Sequence, residues 1–164
     1  MTRARSIAPE VTLLLSLAGG RNALAQRASH PDLSGTWILD VARSDSSSFT
    51  PKSATYVVTQ AADSIIVDRE TSGTGKQHAV YALDGTPRVN TLRLIGTSTE
   101  ATSKVEWIGD TLVVHTTSRP EDADLVQIDR WSLGANGTEL RIHREAVYAG
   151  QSMGSPTLVF GRKQ

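Results

Sequence analysis

The chain has 164 residues, enough for one domain of ordinary size and short for two. Its 17 Lys and Arg balance 17 Asp and Glu, so there is no long-range field to steer it onto nucleic acid or an anionic membrane. Cysteine is absent, which excludes disulfides, thiolate metal sites and a lipid-bearing cysteine, while frequent Val, Ile and Thr with 13 glycines suit pleated strands and tight turns.

The first 25 residues read as a signal peptide. Arg3 and Arg5 give a positive start, residues 11–18 are a short apolar run, and Ala23, Leu24 and Ala25 form an A-x-A site with cleavage expected after Ala25. The run is far below the roughly 20 residues needed to cross a bilayer, so no permanent membrane anchor is expected and the location reads as periplasmic or secreted. Residues 26–33 read as a flexible mature terminus, and 34–164 as one domain.

In that domain, Gly35, Trp37 and Leu39 share one face of a first strand over residues 35–40. Residues 42–53 lose periodicity and read as a long surface loop with lid character, tethered by Phe49. A rhythm of strand, short turn and strand follows. Expected hairpins pair 55–60 with 64–70, 77–83 with 88–95 through Asp84-Gly85, 101–107 with 111–117 through Gly109-Asp110, and 124–133 with 139–147 through Asn136-Gly137. A last strand covers 156–162. The fold class is therefore all-β, an antiparallel up-and-down meander of about 8–10 strands. Closure into a barrel removes its open edges best, with a two-sheet sandwich as the other arrangement.

Turn geometry fixes registers. A two-residue turn at Gly109-Asp110 puts Ser103, Val105 and Trp107 with Leu112, Val114 and Thr116 on one face, and sends His115 outward opposite Lys104. The Asn136-Gly137 turn groups Trp131, Leu133, Leu140 and Ile142, and sets Asp129 opposite Arg144 on that apolar face. Arg69 falls beside Tyr56, Val58 and Val67. Two readings of these charges stand: an internally satisfied pair or strand-end group, or an arginine aimed into a lumen to meet an anionic group of a ligand. No phosphate loop, H-E-x-x-H, G-x-S-x-G or close His pairing is present, so no catalytic residue, metal site or cofactor is expected. The Asn136-Gly137-Thr138 sequon is explained by its turn.

Gly35-Thr36-Trp37 resembles the G-x-W signature of lipocalins. With W-I-L-D at 37–40, Y-A-L-D-G at 81–85, W-I-G-D-T-L-V-V at 107–114, D-R-W-S-L at 129–133 and L-V-F-G-R at 158–162, the chain resembles bacterial secreted, lipocalin-like (calycin-type) β-barrel proteins over most of the mature length. It departs from lipocalins in lacking a T-D-Y-like motif and a helical pattern after the last strand. The resemblance implies a cup-shaped barrel whose motif Trp37 closes the floor under Arg162 or Arg144. It further implies binding of a small hydrophobic or amphipathic molecule, with Tyr56, Arg69, Tyr81, Trp107, Trp131 and Arg144 as candidate ligand-binding residues. A barrel enzyme of isomerase or hydrolase type, or a ligand-free envelope interaction protein, are the alternatives. Oligomeric state is not legible.

Overall fold

A strand buried on one face alternates inward and outward side chains, and β6 (Thr97–Ile108) does so plainly: Ala101, Ser103 and Val105 are buried, while Thr102, Lys104 and Glu106 are exposed. This is a computed structural model describing residues 30–47 and 50–164. The expected signal peptide, residues 26–29 and Phe49 lie outside the described residues.

The described chain is all-β. The other strands are β1 (Gly35–Leu39), β2 (Ala54–Gln60), β3 (Ser64–Thr71), β4 (Gly75–Ala82), β5 (Arg88–Leu94), β7 (Thr111–Ser118), β8 (Leu125–Leu133), β9 (Glu139–Tyr148), β10 (Gln151–Ser152) and β11 (Thr157–Arg162). One 3-10 turn, Pro120–Asp122, interrupts them. All ladders are antiparallel, in the spatial order β4-β3-β2-β1-β11-β9-β8-β7-β6-β5, with the short β10 attached to β9. The sheet curls until β4 and β5 lie side by side, forming a nearly closed barrel.

The hairpin registers follow the turns. Lys104 pairs His115, Val105 pairs Val114 and Trp107 pairs Leu112; Asp129 pairs Arg144 and Trp131 pairs Ile142; Tyr56 pairs Arg69. Gly109 and Gly137 take the positive φ these turns need, 59° and 67°. His115 is accordingly exposed, 3.5 Å from Glu106.

The hairpin expected through Asp84-Gly85 does not form as a ladder. Thr86 N–H is taken by the Asp84 carboxylate at 2.8 Å, and Pro87 has no N–H to offer, so the chain leaves the turn without pairing. Side chains seal this seam instead. The Asn90 carboxamide accepts from Val80 N–H at 2.9 Å and donates to Val80 C=O at 3.1 Å. Gln77 Nε2 donates to the Arg93 carbonyl at 2.6 Å.

The core fills one end of the barrel. Trp37, Tyr56, Ile65, Leu112, Trp131, Leu140, Ile142, Leu158 and Phe160 belong to one buried cluster there. Each such side chain contributes roughly 1.5–3 kcal/mol by leaving water. Residues 30–33, read from sequence as loose terminus, are tied down at this end. Leu33 is fully buried, its N–H is held by Gln60 Oε1 at 3.0 Å, and the His30 ring stacks on Trp107 with centroids 4.5 Å apart.

Trp37 forms the floor that the motif implies. Its indole N–H donates to Leu33 C=O at 2.9 Å, and the Arg162 guanidinium lies 4.3 Å above the ring. Arg162, not Arg144, takes this part, and donates to the Ser34 and Gly137 carbonyls at 2.7 and 3.1 Å. Gly35 leaves it room: a Cβ there would sit 2.7 Å from Arg162 Nη1.

Candidate functional site

Inward positions along each strand step from the filled end to the open end in one pattern. On β8 they run Trp131, Asp129, Gln127, Leu125; on β9, Ile142, Arg144, Ala146, Tyr148; on β3, Val67, Arg69, Thr71. Apolar residues at depth give way to a polar layer and then to apolar residues again. That second apolar group, Leu92, Ala101 and Leu125 with Leu94, Ala146 and Tyr148, is a cluster separate from the main core.

Between the polar layer and the barrel mouth lies a cavity of about 740 Å³. Tyr56, Arg69, Gln77, Gln127 and Arg144 line its base, and Leu92, Leu94, Leu125, Ala146 and Tyr148 its apolar wall. Residues 50–52 of the long loop and Pro120-Glu121 border the mouth, where Glu121 and Asp122 hold positive φ of 51° and 63°. The volume is in the range of pockets that hold a drug-sized molecule.

The polar layer has two parts. Asp129 accepts from Arg144 Nε and Nη2 at 2.8 Å each, a bidentate pair, and also from Gln127 Nε2 at 3.0 Å. The Asp129 side chain is 5 % exposed and that of Arg144 21 %. Burial works against the Arg144 charge, but the Asp129 carboxylate and the Tyr56 hydroxyl more than offset it and hold its pKa above the ordinary value. In the second part, Arg69 donates from Nε to Gln77 Oε1 at 2.8 Å and again from Nη2 to the same oxygen.

Of the residues singled out from sequence, Tyr56, Arg69 and Arg144 come together on the cavity wall. Tyr81 and Trp131 are buried in the main core, with Trp131 6.0 Å from Tyr56 between ring centroids, and Trp107 packs under His30. These three do not line the cavity. Burial raises the Tyr81 pKa, with Arg69 opposing and Asp129 adding, so the phenol stays protonated well past neutrality. Sequence reasoning missed Gln77, Gln127, Leu92, Leu125, Ala146 and Tyr148. Parity gave a signal for several of them, since Gln127 precedes Asp129 by two residues and Ala146 follows Arg144 by two. No group of three or more metal-ligating side chains occurs among the described residues.

Fold and site together define a lipocalin-like β-barrel with one filled end and one open, polar-based cavity. No protein-family model matches the chain, and no curated protein matches it significantly. Among solved structures it is similar to a secretary abundant heat soluble (SAHS) protein from Ramazzottius varieornatus, at 12 % identity and TM-score 0.58 over 83 % of this chain and 98 % of that one. It is also similar to a variant of the fluorescent protein UnaG, at 14 % identity and TM-score 0.52 over 80 % of this chain and 96 % of the other.

Proposed function

We propose that this protein binds one small amphipathic molecule in the open end of its barrel. The observation that carries the reading is the cavity of about 740 Å³, apolar along its wall and floored by Tyr56, Arg69, Gln77, Gln127 and Arg144. A barrel that served only as a structural element gains nothing from leaving this end open, because filling it with side chains adds burial at no cost in topology. Tyr81 and Trp131 support the floor from below rather than meeting the ligand. The leader-like residues 1–25, with their positive start, short apolar run and A-x-A site, support export to a periplasmic or extracellular location.

The reading is tested with a neutral polarity-sensitive dye, Nile red, titrated into the purified protein. Saturable fluorescence enhancement is expected. In Ala146→Trp, where an indole fills the cavity wall, the enhancement is expected to disappear while the far-ultraviolet circular dichroism stays that of a β-barrel. Enhancement of equal amplitude and affinity in the variant would overturn cavity binding.

A further inference from the structure

Two arginines reach the cavity, and their charges are handled differently. Arg144 is closed: Asp129 neutralises it, and Gln127 occupies another acceptor site on that carboxylate. Arg69 has only the neutral Gln77 carboxamide, which receives Nε and Nη2 on a single oxygen while its own nitrogen is committed to the Arg93 carbonyl. Among the described residues no carboxylate lies within ion-pair distance of Arg69, and its remaining N–H groups have no protein acceptor. The chain thus places a neutral amide where a glutamate would have closed the pair. At the mouth, Lys52 and Arg93 outnumber Glu121.

Arg69 is half-buried at the cavity base with no counter-charge beside it, so an anion that meets its guanidinium there gains a charge-assisted pair that a neutral head group does not. Resting on the binding reading above, we propose that the cavity selects amphipaths carrying one negative charge, a carboxylate above all. Arg69 receives the head group, and the tail lies along Leu92, Leu125 and Tyr148 toward the mouth. Planar carboxylate oxygens match the fork of a guanidinium. Arg144 does not take the head group, because its Asp129 partner already fills its fork. The resident net charge at the base is a single positive one, so a monoanion balances it and a dianion or a cation does not.

The test compares three ten-carbon probes by titration calorimetry against the folded protein: decanoate, decanol and decyltrimethylammonium. Decanoate is expected to bind at least about tenfold more tightly than decanol, and the cation more weakly than either. Arg69→Gln is expected to bring the decanoate-to-decanol affinity ratio close to one. Gln77→Glu supplies the missing carboxylate beside Arg69 and is expected to do the same while retaining the guanidinium, so the proposal stays testable if the first variant fails to fold. Equal affinities for decanoate and decanol in the unmodified protein, or a ratio unchanged in Gln77→Glu, would overturn the anion selectivity and leave the binding reading standing. Absence of binding by all three probes would remove both.

Discussion

Replacing Asp129 by Asn tests how the polar layer is held together. The substitution keeps shape and removes charge, leaving the Arg144 guanidinium in a wall where its bidentate partner is gone. Breaking one side of a buried pair costs about 3–5 kcal/mol. Arg144 is 21 % exposed, so water at the cavity base recovers part of this, and a loss of about 2–4 kcal/mol is the expected figure. Equilibrium urea denaturation with an unchanged slope measures it. The double variant Asp129→Leu with Arg144→Met replaces both charges by apolar groups and is expected to recover most of the loss, because desolvating two ions costs nearly what their attraction returns. If Asp129→Asn costs less than about 1 kcal/mol, or the double variant is as unstable as the single one, the pair is not a buried, mutually satisfied unit.

Three further outcomes follow from the geometry. Gly35→Ala is expected to cost about 2–4 kcal/mol, since its φ of 144° is unfavourable for a side chain and the new Cβ meets an Arg162 Nη1 pinned by Ser34. Combining it with Arg162→Ala checks this by thermal denaturation, and strictly additive losses would show that the contact carries none of the effect. Asn90→Ala removes both bonds across the β4–β5 seam; a loss of about 1–3 kcal/mol and faster amide exchange at Val80 are expected, with hydrogen-exchange NMR as the measurement. Tyr81 has a folded pKa raised above its ordinary 10.0 by burial, so its contribution to stability is complete below pH about 10 and is lost as pH rises toward the folded value. Urea midpoints measured through alkaline pH are expected to fall less steeply in Tyr81→Phe than in the parent protein.

Much of this architecture was already in the sequence. Period-two alternation marked the strands, and the positive-φ demands of Gly109 and Gly137 fixed two turns, from which side-chain parity paired Asp129 with Arg144 and sent His115 outward. Trp37 as floor was implied by the motif, while the choice between Arg162 and Arg144 as its cover came only with the structure, which gives it to Arg162. The alternation, the turns and the parity pairs are local: each depends on residues a few positions apart, or on one hairpin turn.

Depth within the barrel is a different kind of property. Parity tells which face a residue takes, but Trp131, Asp129 and Leu125 share one parity and lie respectively in the core, in the polar layer and on the cavity wall. Only the curvature of the closed sheet, which sets how far opposite walls stand apart at each level, separates them. The end at which the barrel stays open, and the cavity onto which Arg69 of one hairpin and Arg144 of another both face, arise from that curvature. The sequence by itself determined which side chains point inward, because strand pleating is local. The tertiary structure decided which of them meet each other and which face an open space, because that depends on strands brought together from distant parts of the chain.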